Sequence, residues 1–165
     1  MTLWIVDFEA FQQGSQFYPL EIALLNANTG AHNLFYIYYH YPIEDHTIRF
    51  QYDRHGLDWQ DGNLPLGRAL KAITRRIKEN DKVVIKGVQK IKFFVSHGVL
   101  RQDQVIPVKE TSTLKKLVQN VDQKCVKHTN LNKFWCAQQK CFAILTYIKQ
   151  IKKEEDEVEM EMHMP

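Results

Sequence analysis

The first forty residues alternate in short apolar runs, and the rest of the chain shows helical periods. Leu3-Trp4-Ile5-Val6-Asp7-Phe8-Glu9 reads as a buried strand that closes on two carboxylates. Residues 10–17 read as a turn. Tyr18-Pro19-Leu20-Glu21-Ile22-Ala23-Leu24-Leu25 starts a second strand, with Pro19 suited to a strand start or an edge. Asn28-Thr29-Gly30 marks a hairpin turn, and residues 33–41, rich in aromatic β-formers, form a third strand. Residues 42–65 lose the alternation and carry His46, Asp53, His55, Asp58, Trp59 and Asp61; a loop of this length is usually functional or mobile.

The period then becomes helical. Leu66, Leu70, Ile73 and Ile77 form a stripe over residues 66–80, and Arg68, Lys71, Arg75, Arg76 and Lys78 lie away from it. Residues 82–87 are a short central strand ending in Gly87, and residues 88–95 a helix with Lys90 and Lys92 near its start. Residues 105–108 are a strand in which Pro107 implies an edge or an end, and residues 111–121 a helix introduced by Thr111-Ser112-Thr113. A last helix covers residues 134–152, and residues 153–165 read as a disordered acidic tail. The order is β-β-β-α-β-α-β-α-α. It predicts an α/β domain over residues 1–152: a mixed five-stranded sheet, three antiparallel strands and then parallel ones, with helices on its faces. That is the strand order of ribonuclease H-like folds.

Composition adds a charge asymmetry. The net charge is +3, but residues 151–165 hold six acidic and two basic side chains, a balance of −4. The remaining residues carry 20 basic and 13 acidic side chains, or +7. A basic body with an acidic end suits a polyanionic partner; a solvated body with a disordered end is the plainer alternative. Apolar runs are too short to span a bilayer and the N-terminus does not read as a signal peptide. The expected compartment is the cytoplasm, with perinuclear granules or the nucleus as alternatives.

Two groups of residues carry candidate chemistry. Asp7 and Glu9, two apart on a strand, project to one face and are spaced to share Mg²⁺ or Mn²⁺ for phosphoryl chemistry; solvated polar residues at a strand end are the competing reading. All three cysteines lie between residues 125 and 141. Cys125 and His128 form a Cys-x2-His pair and Cys136 supplies a third thiol, a spacing suited to Zn²⁺; ordinary buried cysteines beside a surface histidine are the alternative. A tetrahedral site needs a fourth ligand. Glu21 lies in a stretch that should be buried, where a carboxylate needs a partner, and is the candidate. A closed four-ligand zinc is structural rather than catalytic.

These residues also carry a family resemblance. Asp7-Phe8-Glu9 resembles the first motif of the DEDDh 3′–5′ exonucleases. Their second-motif aspartate would fall at Lys90, and their third motif near His128, where the residue five positions on is Lys133. The chain is more similar to the Maelstrom domain, an RNase H-like domain of the germline small-RNA (piRNA) pathway. The shared elements are Pro19-Leu20-Glu21-Ile22-Ala23, the Cys125/His128 pair and Cys136-Ala137 opening the last helix. The resemblance implies zinc held by Glu21, Cys125, His128 and Cys136, binding of single-stranded RNA, and weak endoribonuclease activity without the exonuclease carboxylates. The retained Asp7/Glu9 pair departs from that family.

Three functions follow as expectations. The first is a zinc-containing module that binds single-stranded RNA, with Arg75, Arg76, Lys86, Lys90 and Lys92 along the phosphates and Trp59 or nearby tyrosines stacking on bases. The second is a metal-dependent nuclease using Asp7, Glu9 and a loop carboxylate such as Asp58 or Asp61. The third is a catalytically dead scaffold for small-RNA pathway proteins.

Overall fold

The computed structural model describes residues 1–39, 57, 59, 62–120 and 136–163. Its centre is a sheet of five strands: β1 (Leu3–Gln13), β2 (Gln16–Asn26), β3 (His32–Tyr36), β4 (Lys82–Lys86) and β5 (Val105–Val108). The spatial order is β3-β2-β1-β4-β5. β1, β2 and β3 pair antiparallel, and β4 and β5 run parallel to β1. This is the mixed sheet that the element order predicts. Among the described residues the α-helices are α1 (Leu66–Arg76), α2 (Val88–Ser96), α3 (Ser112–Asn120) and α4 (Ala137–Met162).

Each face of the sheet has its own core. Val6, Phe8, Ile22, Leu24, Val83 and Ile85 meet α1 and α2 through Leu70, Ile73, Ile91 and Phe94. Ile5, Ala23, Leu25 and Val84 point the other way and meet Leu114 of α3 and Ala137, Cys141 and Ile144 of α4. The register slips by one between Glu9 and Ala10. As a result Phe8 and Phe11, an odd number of residues apart, both enter the first core.

Four sequence expectations change here. The turn over residues 10–17 is in fact the tip of a long hairpin: β1 continues to Gln13, and Gln13 pairs with Gln16. Its two-residue loop has φ +62° at Gly14 and no positive φ at Ser15, the pattern in which glycine leads. The third strand ends at Tyr36, after which Ile37 forms a lone parallel bridge with Leu64. Helix α1 stops at Arg76 rather than residue 80, because Asp81 captures the Lys78 N–H and turns the chain into β4. The acidic tail is helical: α4 runs without a break to Met162. Glutamates, lysines and methionines favour helix, and Lys152/Asp156 and Lys153/Glu157 stand four apart with opposite charge. Among the described residues no helix is long and apolar enough to cross a membrane.

Asp81 ties the far end of the sheet. Its carboxylate accepts from Thr2 N–H at 2.8 Å, Lys78 N–H at 2.8 Å and the Trp4 indole at 3.0 Å. Desolvation pushes its pKa up, but the hydrogen bonds from Lys78, Thr2 and Trp4 together outweigh it, and the pKa lies below the ordinary 3.8. A depressed carboxylate stabilises the fold above its unfolded pKa, and this is lost as pH falls through the lower, folded value. Asp81→Ala is therefore predicted to cost about 2–3 kcal/mol in urea unfolding at neutral pH. The difference from wild type should shrink as the pH drops below 3.8.

Candidate functional site

The face of the sheet under α4 changes character along β1. Ile5 is apolar, and the next two residues on the same face, Asp7 and Glu9, are buried acids. Glu9 pairs across the ladder with Glu21 of β2, which is also buried. Three carboxylates thus lie in one patch with almost no access to water. Burying charge of one sign is costly unless each group finds a partner.

The helices supply those partners. Gly87, with φ +102°, is the N-cap of α2, a conformation that glycine tolerates best. It turns the chain sharply off the end of β4. Lys90, in the first turn of α2, thereby reaches back to β1: its Nζ lies 2.6 Å from Asp7 Oδ1 and donates to Phe8 O at 2.9 Å. The ammonium also stands 5.0 Å from the centre of the Phe8 ring. On α4, Lys140 stands on the inward stripe with Ala137, Cys141 and Ile144. Its Nζ lies 2.6 Å from Glu9 Oε1, with both side chains less than a tenth exposed. Glu21 meets the start of α4, where its Oε1 accepts the Ala137 N–H at 2.8 Å. That N–H belongs to the first turn of a 26-residue helix, whose dipole favours an anion there. Cys141 turns its sulfur to the Ala23 and Ile5 carbonyls at 3.6 and 3.9 Å. Burial, and then the negative charge of Asp7, push this thiol well up, so it stays protonated and inert.

A cleft of about 810 Å³ opens over the two ion pairs. Lys86, Lys90, Lys115 and Lys140 line it, together with Glu110, Phe17 and the Gly87-Val88-Gln89 turn. Glu110 is paired with Lys86. A neighbouring cavity of about 490 Å³ shares Phe17 and Gln89 with the cleft and is walled by Tyr18, Lys92, Phe93 and His97.

The site residues expected from sequence are distributed as follows. Asp7 and Glu9 lie together, Lys86 and Lys90 line the cleft, and Lys92 lines the neighbouring cavity. Arg75 and Arg76 do not line the cleft; they end α1, where the Arg76 guanidinium lies 5.7 Å from the Phe35 ring centre. Trp59 is not available for base stacking: it is buried, stacked on Tyr39 at 4.4 Å and packed against Tyr18 and Phe11. Of the expected zinc ligands, Cys136 is the N-cap of α4 and Glu21 accepts the N–H of the next residue, Ala137; both are fully buried. Cys125 and His128 lie outside the described residues, as do His46, His55, Asp58 and Asp61. Lys140 and Lys115 were not foreseen as cleft residues. Lys140 could have been found, because it sits three residues after Ala137 and one before Cys141 on the stripe that buries the helix.

Two carboxylates two apart on a strand would suit a divalent cation, but this patch does not fit one. Among the described residues no group of three His, Cys, Asp or Glu side chains is arranged to hold a metal. Asp7 Oδ1 and Glu9 Oε1 each carry a lysine nitrogen at 2.6 Å. Asp7 Oδ2 is buried and accepts no hydrogen bond among the described residues. A divalent ion there would stand roughly 4 Å from the Lys90 nitrogen, where the repulsion is about 8 kcal/mol at an effective dielectric of 20.

The sheet order and the helices on its two faces are those of an RNase H-like α/β fold. Among solved structures the chain is similar to the Mopeia virus exonuclease domain partially complexed with manganese, with 17% identity and a TM-score of 0.54 over 84% of this chain and 73% of that one. At that identity the likeness is one of fold. No protein-family model matches the chain, and no curated protein is significantly similar to it.

The Lys140–Glu9 pair gives a direct prediction. Lys140→Ala strips a buried carboxylate of its ammonium and should cost about 3–5 kcal/mol in urea unfolding. Lys140→Met with Glu9→Gln removes both charges at similar volume and should recover most of that loss.

Proposed function

We propose that this chain is a single-stranded-RNA-binding domain built on the exonuclease fold. The observation that carries this reading is the cleft over Asp7 and Glu9, lined by Lys86, Lys90, Lys115 and Lys140. Lysines in a groove attract a phosphate backbone without regard to sequence, and the half-buried rings of Phe17 and Tyr18 beside it suit stacked bases. Phe17, shared by the cleft and the cavity of Tyr18 and Phe93, stands where a strand would pass from one to the other. The +7 charge of the body, outside the acidic end, points the same way.

Binding of a short labelled single-stranded RNA, followed by anisotropy at rising salt, tests this. Affinity should fall with a log–log slope of about −0.7 per phosphate contact. Lys86→Glu with Lys115→Glu should weaken binding about tenfold or more and flatten the slope, while Arg75→Glu with Arg76→Glu should leave both nearly unchanged. Equal affinity in wild type and the Lys86/Lys115 variant would remove the cleft from the reading. The same RNA, end-labelled and incubated with Mn²⁺, separates the second reading, a metal-dependent nuclease using Asp7 and Glu9. What favours that reading is the buried Asp7 Oδ2, which accepts no hydrogen bond among the described residues. Cleavage by wild type but not by Asp7→Asn/Glu9→Gln would establish it; the expected result is none.

The reading includes one structural zinc held by Glu21, Cys125, His128 and Cys136, as in the Maelstrom domain, with small-RNA silencing proteins as partners in the cytoplasm, perinuclear granules or the nucleus. Its support in the fold is that Glu21 bonds the N–H of the residue following Cys136, which places a carboxylate and a thiol at one helix start. Purified protein should contain about one zinc per chain by elemental analysis, and Cys136→Ser should lose it together with much of its thermal stability. Metal-free wild-type protein that melts as cooperatively as the zinc-loaded form would remove zinc from the reading.

A further inference from the structure

We propose that Lys90 and Lys140 occupy the place of divalent cations on the β1 carboxylates, so that this cleft holds a phosphodiester without metal. The proposal rests on the RNA-binding reading for its ligand but not for its central claim, which concerns metal exclusion. The geometry is specific. A magnesium or manganese ion sits about 2.1 Å from a carboxylate oxygen. The Lys90 and Lys140 nitrogens already stand 2.6 Å from Asp7 Oδ1 and Glu9 Oε1, so metal and ammonium compete for the same space. Both lysines come from helices packed on the sheet and are largely buried, so neither is a casual surface contact.

The ammonium does more than block. A lysine nitrogen has three N–H donors, and the Lys90 contacts to Asp7 and Phe8 use two of them. Its side chain is 19% exposed in the cleft wall, so the third donor is within reach of a ligand. Beside it lies the start of α2, which has no side-chain cap and no acid in its first turn. First-turn N–H groups next to a fixed ammonium form an anion-binding corner. With Lys90 on Asp7 and Lys140 on Glu9, the corner offers ammonium and N–H donors to an anion rather than open carboxylate oxygens to a metal. The ligand that suits it is a phosphodiester, recognised and held.

The test is manganese binding, read without RNA by the electron paramagnetic resonance of free Mn²⁺. Wild type and Asp7→Asn should bind equal amounts, since Asp7 holds no metal in either. Lys90→Asp with Lys140→Gln, which replaces one ammonium by a carboxylate and the other by a neutral amide, should gain a Mn²⁺ site that disappears when Asp7→Asn is added. If that double variant does not fold, Lys90→Gln alone serves: Mn²⁺ should raise its Tm and leave that of wild type unmoved. RNA affinity of wild type should be unchanged whether or not Mg²⁺ or Mn²⁺ is added. Manganese bound by wild type and lost in Asp7→Asn would overturn the proposal. So would failure of the folded lysine variants to gain a site, because the lysines would then not be what excludes the metal. If RNA does not bind but the manganese results hold, the RNA reading fails and the metal-exclusion claim stands.

Discussion

Three buried carboxylates on one face of the sheet set the terms for everything around them. Asp7, Glu9 and Glu21 are all less than a tenth exposed, and they crowd onto adjacent strands. Such a patch cannot remain without compensating charge. The fold meets this with two ammonium groups and one helix N-terminus, Lys90 from the start of α2 and Lys140 and the Ala137 N–H from the start of α4. The entry of α2, the docking angle of α4 and the position of Cys136 are all tied to these three contacts. A helix displaced by one residue would lose its partner and leave a charge stranded.

Several smaller features make the arrangement possible. The slip in register after Glu9 returns Phe11 to the aromatic core while Glu9 stays under α4. Gly87 permits the abrupt strand-to-helix turn that brings Lys90 back over β1. Phe8 lies between the two cores' concerns: its ring packs on Phe17, Phe93 and Phe94 while its carbonyl holds Lys90. Packing and electrostatics are therefore coupled at β1, where one strand carries aromatic anchors on one face and the acids on the other.

The same fold hosts the manganese-complexed viral exonuclease domain to which this chain is similar. A shared fold does not carry a shared reaction, because reaction depends on which side chains line the site. Here the strand carries carboxylates, but helices bring lysines to them. The cleft is consequently basic where a two-metal centre would need open acidic oxygens, and that difference in charge is what the functional reading turns on.

Much of the architecture was legible in the residues alone. Alternating strands, the helical stripe at Leu66–Ile73 and the order of elements are local patterns, and they gave the mixed sheet and its helices. The acids at positions 7, 9 and 21 could also be picked out, because a charge inside or at the end of an apolar run is visible without coordinates, and Lys90 was read as a phosphate contact rather than as a carboxylate's partner. The hairpin tip, the early stop of α1 and the helical tail were misread. Each depends on a long-range partner or on the sum of weak side-chain pairs rather than on a local signal. The partners of the carboxylates needed the tertiary structure. Lys140 and Glu9 are 131 residues apart, and Lys90 and Asp7 are 83 apart. A lysine on a helix looks solvated until packing decides which face is buried. Sequence determined that a strand would carry Asp7 and Glu9 on one face and that Glu21 would lie in a buried stretch; only the fold decided that all three are buried and that lysines meet two of them, because burial and charge pairing across such distances are set by where the helices dock.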